Sequence, residues 1–227
     1  MTGTLISGPA AVVLVRLHEQ ALAEDRAVRE RVRRWTRDAG RPPTPQEKYE
    51  EIYGDAALAV TPEVGRLYYT LVLASSRRRL DHVVEFGASL GVSTIYLAAA
   101  LRDAGSGRLI TTELRPTKAE LLQRNLGEAG LDDLVEIRVG DALETLTGLD
   151  VSVDVLVLDG RNDQYEAVYR LVEPQLAPDA LVIADLSADD PHINRYQQFI
   201  RDPTRGYASL EIPLDAGVEL STRLPQR

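Results

Sequence analysis

The 227-residue sequence contains no cysteine, which excludes disulfides, thiolate metal sites and a cysteine nucleophile together. Basic residues are in deficit. The 26 lysines and arginines face 35 acids, a formal charge of -9, which removes any standing attraction to DNA, RNA or an anionic membrane and leaves a neutral or small charged substrate. No window approaches the roughly 18 apolar residues of a membrane span, and Met1 to Pro9 lack the cationic start and apolar core of a secretory signal. A soluble, cytoplasmic protein is expected. Internal repeats and low-complexity segments are also absent, and the length suits one domain, with or without an N-terminal extension.

The informative stretch runs from His82 to Ala98. A valine-rich run ends in Glu85, Phe86 and Gly87, a small-residue turn follows, and helical spacing begins with Val92, Ile95, Tyr96 and Ala99 on one face. This predicts strand, tight turn and helix, with Gly87 and Gly91 allowing close approach and the helix aiming its free N–H groups at a nucleotide-like ligand. The spacing is not G-x-G-x-x-G, because Ala88 stands between Gly87 and Ser89 and the next glycine is Gly91. Glu85-x-Gly87-x-x-x-Gly91 instead resembles the first motif of the class I S-adenosylmethionine-dependent methyltransferases.

Ahead of this stretch, residues 10–39 have a helical pattern with Val12, Val15, Leu22 and Val28 spaced for one face and a solvated basic end. Gly40 to Pro45 reads as a linker. Residues 1–45 are therefore expected to form an N-terminal helical extension and 46–227 the catalytic domain. Thr61-Pro62-Glu63 marks a helix start for a segment reaching Ser75, with Gly65 inside it.

Beyond the motif, strands are expected near Arg108–Thr112, Val135–Val139, Val153–Leu158 and Ala180–Ala184, and helices near Pro116–Ala129, Gln164–Leu176 and His192–Arg201. That alternation signals a parallel sheet covered on both faces. Residues 207–212 and 218–222 alternate about a turn at Leu214 to Gly217, which predicts a closing antiparallel hairpin. The expected fold is a Rossmann-like α/β sheet of seven strands, as in class I methyltransferases, with an N-terminal helical cover.

Ligands of such sheets sit beyond the carboxyl ends of the strands, and every one of those ends carries an acid: Glu85, Glu113, Asp141, Asp159 and Asp185. Glu113 suits a ribose diol. Asp141 and Ala142, after Gly140, lie where an adenine edge would reach; Ser89 and Ser93 suit the amino-acid end of the cofactor, and Asp159 its ammonium or the transfer site.

Taken as an ordered set, Glu85 to Leu101, Glu113, Asn125 to Leu131, Val139 to Ala142, Asp154 to Tyr165 and Ala177 to Asp185 resemble the motifs of bacterial small-molecule O-methyltransferases related to catechol O-methyltransferase. The resemblance covers about residues 45–224. It implies S-adenosylmethionine as cofactor, held by Glu85, Gly87, Ala88, Ser89, Gly91 and Ser93 from the first motif. Glu113, Leu114, Gly140, Asp141, Ala142 and Asp159 complete that set. It also implies an SN2 methyl transfer, a homodimer, and a divalent metal that holds two adjacent acceptor oxygens.

Two departures bear on mechanism. The segment Asp159-Gly160-Arg161-Asn162-Asp163-Gln164-Tyr165 has Asn162 where the family has its catalytic lysine, and Asp185 is followed by Leu186 where the family has a second metal-ligating side chain, asparagine. With base and ligand both lost, metal-independent transfer to a small aromatic acceptor is expected. The family favours oxygen as the methylated atom; the departures favour carbon or nitrogen, as on an indole. Catalytic candidates are Asp159, Asn162, His192 and Tyr53; Asp163, Arg161 and Glu50 are candidate substrate contacts. Tyr49 and Tyr53 suit either an aromatic lid or packing of the cover, and His18 and His82 are assigned structural places. Two other readings stand beside this one: a nicotinamide-dependent oxidoreductase, disfavoured by the glycine spacing and hairpin, and an inactive methyltransferase-like binding or regulatory protein.

Overall fold

A computed structural model describes residues 3–76, 79–187 and 190–224. The long helix α1 (Pro9–Ala39) is followed by a short α2 (Pro45–Glu47) that runs directly into a π-helical turn, Lys48–Tyr53. After α3 (Pro62–Ser75) come β1 (His82–Phe86), α4 (Val92–Ala104), β2 (Arg108–Glu113) and α5 (Pro116–Ala129). They are succeeded by β3 (Val135–Val139), α6 (Ala142–Thr145), β4 (Val153–Leu158) and α7 (Tyr165–Val172). The chain closes with β5 (Leu176–Asp185), α8 (Pro191–Ile200), β6 (Tyr207–Ile212) and β7 (Val218–Arg223).

The seven strands are ordered β3-β2-β1-β4-β5-β7-β6. The first five are parallel, and β7 runs antiparallel to both β5 and β6. This is the methyltransferase arrangement, and the inserted antiparallel strand separates it from the dinucleotide-binding order expected of a nicotinamide enzyme. Strand order reverses between β1 and β4, so the cleft lies above Phe86 and Leu158. One apolar cluster packs α1, α3, α4 and α5 on one face of the sheet; a second packs α6, α7 and α8 on the other. No helix among the described residues is long and apolar enough to cross a membrane.

Two sequence expectations are corrected. On α1 the buried stripe is Ala10, Val13, Leu14 and Leu17, with Val28 further on, while Val12, Val15 and Leu22 are exposed. The inward face follows the 10, 13/14, 17 spacing that meets α4 and α5, and the helix carries apolar residues on more than that face. The helix expected over Gln164–Leu176 stops at Val172 and passes through a short 3-10 turn, Glu173–Gln175. Pro174 has no N–H to continue the ladder. Consequently β5 begins at Leu176, four residues early, and a register shift opposite Val153 and Val155 accommodates the extra chain around Pro178.

Gly65 has a packing reason. A Cβ there would fall well inside contact distance of the Tyr96 ring on α4. Helix propensity favours alanine by about 1 kcal/mol, whereas overpacking a filled interior costs about 1 to 3 kcal/mol. Gly65→Ala is therefore expected to destabilise the fold by up to about 2 kcal/mol in denaturant unfolding; a stabilised variant would show that the α3–α4 contact yields freely.

Candidate active site

The turn between β1 and α4 is set by close approach. Gly87 has φ 97°, and a Cβ on it would lie 2.6 Å from the Asp159 carbonyl oxygen and 2.6 Å from Gly160 Cα. Gly91, φ 95°, would place its Cβ 2.5 Å from Leu122. Between them Ser89 takes φ 50°, uncommon for a residue with a side chain. Its N–H donates to Glu113 Oε2 at 2.9 Å, which ties the turn to the end of β2.

Glu113 is a partly used acceptor. Its Oε1 takes the Tyr49 hydroxyl at 2.7 Å and the Arg115 N–H at 2.9 Å. A carboxylate offers about four lone-pair positions, so one of the four remains open for a diol. Binding both hydroxyls there requires Tyr49 to let go. Tyr49 is itself held: Arg115 stacks on its ring at 5.6 Å and donates to the carbonyls of Tyr49 and Glu50 at 2.9 and 3.0 Å. Of the two tyrosines weighed as a lid, both line the cavity described next.

That cavity, about 520 Å³, lies between the strand ends and a cover made from α1, the π-helical turn and residues 57–62. Gly87, Ala88, Ser89, Ser93, Glu113, Asp159, Arg161, Asn162 and Tyr53 all line it, so the structure brings most of the sequence candidates together. Leu114, Gly140, Asp141 and Ala142 line a smaller recess that shares Tyr49, Gly87 and Glu113 with the main cavity. Asp141 caps α6 there, accepting from the Leu143 N–H at 2.8 Å. Gly91 works through the turn.

The other candidates lie elsewhere. Glu85 is fully buried beneath the turn, where Oε2 accepts from Thr94 and Thr111 hydroxyls at 2.6 Å each, and it lines neither space. It braces α4 against β2. His192 begins α8, its N–H bound to Asp190 at 2.8 Å, and faces a separate cleft with Asp163 and Glu166. Glu50 is exposed and outside the cavity; Asp163 pairs with Arg161 at 2.7 Å. His82 stays at the far end of β1, but His18 lines the cavity while its Nε2 lies 3.3 Å from the Tyr96 hydroxyl.

Acids dominate one end. Burial, with Asp185 and Glu85 adding repulsion, holds the Asp159 carboxyl well above the usual range. Asp185 is pushed up to about 7, by burial first and by Asp215 second. Asn162 donates to Asp190 at 3.0 Å, and burial followed by Asp190 raises the Tyr53 hydroxyl. Asp190, Asp215 and Lys118 line this cavity and were not singled out from sequence. Lys118 was legible: Lys118, Leu122, Asn125 and Leu126 occupy the buried face of α5 at helical spacing.

The cavity suits a nucleoside-bearing cofactor, because the glycine turn leaves no room for a side chain and Glu113 keeps acceptor capacity at a strand end. A divalent metal fits less well. Leu186, where the resemblance places a ligating oxygen, is buried in the apolar cluster beside α7 and α8. Among the described residues no three His, Cys, Asp or Glu side chains are grouped to hold a metal ion.

Residues 84–185 match the family model described as a methyltransferase domain. The chain carries a methyltransferase domain. Over 136 residues the chain is 32% identical to a catechol O-methyltransferase of Niastella koreensis, covering 58% of this chain and 59% of that protein. A catechol O-methyltransferase of Mycobacterium tuberculosis is 43% identical over 93 residues, 40% of each. The matches thus span about half the length of these relatives. Among solved structures, cofactor-bound Rv0187 from MTB superposes with a TM-score of 0.65 at 27% identity, over 74% of this chain and 83% of that one. The O-methyltransferase TomG of Streptomyces achromogenes, involved in tomaymycin synthesis and solved with SAM, gives 0.63 at 25% over 74% and 82%. Kinship of the methyltransferase domain to the catechol O-methyltransferases, read from the motifs between Glu85 and Asp185, is borne out.

Proposed function

We propose that this chain methylates a small aromatic acceptor in secondary metabolism, using S-adenosylmethionine without a divalent metal. The observation that carries the reading is the Glu113 carboxylate, open at one lone pair beside the Gly87 turn, in a cavity also lined by Asp159 and Asp185. A relative solved with SAM and named an O-methyltransferase supports it.

In this reading Glu113 holds the ribose, Asp141, Ala142 and Leu114 border the adenine, and Ser93 with Asp159 receives the amino-acid end. Bound there, the cofactor supplies an electrophilic methyl group. The chain's part is to align the acceptor, exclude water and take its proton. Tyr53 and Asn162 border the acceptor space, and Asp185, a carboxyl near neutrality, is matched to proton transfer. His192 is too far round α8 to share this cavity. An acceptor that is already nucleophilic, an indole carbon or an amine, suits a site with Asn162 and Leu186 in place of lysine and asparagine; a phenolic oxygen is the alternative. A cytoplasmic homodimer belongs to the same proposal, supported by the exposed Ile6, Val12 and Val15 near and on the outer face of α1.

Labelled S-adenosylmethionine, offered with hydroxylated, aminated and indolic aromatics, tests this. One product carrying the label, formed at an undiminished rate after exhaustive EDTA treatment, is expected. Transfer that stops with EDTA and returns with Mg²⁺ contradicts the metal-independent part, and no product from any acceptor contradicts the enzymatic reading.

A further inference from the structure

Lys118 is a lysine in a core position. It stands on the first turn of α5, on the face that also buries Leu122 and Leu126, and its side chain is 0% exposed while still lining the cavity. Lysine is almost never fully buried without a partner. An ammonium has three protons to place, and the structure gives this one a single hydrogen bond among the described residues, to Ser89 Oγ at 3.3 Å, with the Tyr49 ring 5.8 Å away.

The surrounding acids are already engaged. Glu113 accepts from Tyr49, Ser89 and Arg115. Asp55 accepts from the Thr117 hydroxyl at 2.8 Å, and Glu24 accepts from the Ala57 N–H at 2.8 Å and the Gln20 amide at 2.9 Å. All three act on Lys118 through space, yet burial outweighs them and its pKa is lowered. A buried cation in this state gains from an incoming anion more than a solvated one does, because desolvation strengthens the attraction and leaves no water to displace.

What anion the cavity admits follows from the layout. Ser89 touches both Glu113, through its N–H, and Lys118, through its hydroxyl. A ligand whose ribose rests on Glu113 therefore passes Lys118 as it runs along the turn. Burial favours the neutral form of the Asp159 carboxyl; an incoming ammonium favours its ionisation and a carboxylate opposes it, so a zwitterionic amino-acid end is oriented with its carboxylate away from that acid. Of the other three cations on the wall, Arg29 pairs with Asp25 and Arg161 with Asp163, while Lys48 is half-buried at the start of the π-helical turn in the cover, with no hydrogen bond to Ser89 among the described residues.

We propose that Lys118, with Ser89 beside it, is the residue that binds the α-carboxylate of the cofactor's amino-acid end. This rests on the cofactor reading above, and it makes Lys118 a discriminator between the whole cofactor and its nucleoside fragments.

The test is calorimetric titration of the full chain and of Lys118→Met and Lys118→Arg, each with S-adenosylhomocysteine and with methylthioadenosine, which lacks the amino-acid end. Lys118→Met keeps the bulk and removes the charge, so thermal melting at or above the wild-type value is expected and shows that it folds. It is expected to bind S-adenosylhomocysteine about 10- to 100-fold more weakly, the range for a hydrogen bond to a charged group, and methylthioadenosine within about twofold of wild type. Lys118→Arg should recover most of the lost affinity. Unchanged binding of S-adenosylhomocysteine by Lys118→Met, or equal weakening of both ligands, overturns the assignment. Wild-type protein that binds neither ligand refutes the cofactor reading itself, and this inference with it.

Discussion

Replacing Glu113 with alanine is expected to weaken S-adenosylhomocysteine binding by at least about 100-fold. Each ribose hydroxyl donated to a charged acceptor is worth about 1.5 to 3 kcal/mol, and two of them exceed the ~2.7 kcal/mol that corresponds to 100-fold. Part of that gain is spent displacing the Tyr49 hydroxyl, which holds Oε1 at 2.7 Å in the unliganded protein. The variant loses more than the ribose contacts, because the N–H groups of Ser89 and Arg115 lose their acceptor and the turn loses its tie to β2. Isothermal titration with thermal melting as a folding control measures this. Affinity within a few-fold of wild type would mean that the ribose lies elsewhere.

The second large effect is on stability. Asp185 has an ordinary carboxyl value of 3.8 and is pushed up to about 7 in the fold. Between those values the folded chain keeps a proton that the unfolded chain has released, so the folded state binds more protons and stability falls as pH rises. Above about pH 7 both states are ionised and the loss levels off. From about pH 5 to about pH 8 the titrating interval is about two units, at about 1.4 kcal/mol each, or about 3 kcal/mol. Asp185→Asn keeps the shape and removes the charge. Denaturant unfolding is expected to show the variant gaining on wild type by up to about 3 kcal/mol more at pH 8 than at pH 5. Parallel pH curves for the two proteins would show that this carboxyl titrates normally. Asp159, raised by burial first and by Asp185 second, adds a slope of the same sign that is smaller in the variant, where the Asp185 charge is gone.

Where local signals agreed, the sequence located elements closely. The caps Thr61-Pro62-Glu63 and the proline at the start of α5 place both helices, and Val135–Val139 and Val153–Leu158 are strands at the expected bounds. The misplacements have separate physical causes. Val12, Val15 and Leu22 fit a helical stripe as well as Val13, Leu14 and Leu17 do, and only contact with α4 and α5 decides which turns inward. Pro174 ends α7 early, a breaker that apolar periodicity alone passes over. At the site, residues on the glycine turn and strand ends were legible because the five parallel strands put their carboxyl ends on one rim. Glu85 misled since the last inward residue of a strand can face the core beneath the turn rather than the space above it. His192 follows β5 closely in sequence, but α8 carries it to the other side of Asn162. Asp215 comes from the β6–β7 turn, whose proximity to Asp185 depends on β7 inserting next to β5.

The central claim is that the space above β1 and β4 holds S-adenosylmethionine without help from a metal. Calorimetric titration of wild-type protein with S-adenosylhomocysteine in EDTA, with NAD as the control ligand, tests it most directly. The account predicts a single micromolar site for S-adenosylhomocysteine and no heat from NAD. No binding of S-adenosylhomocysteine, or binding of NAD in its place, would contradict it.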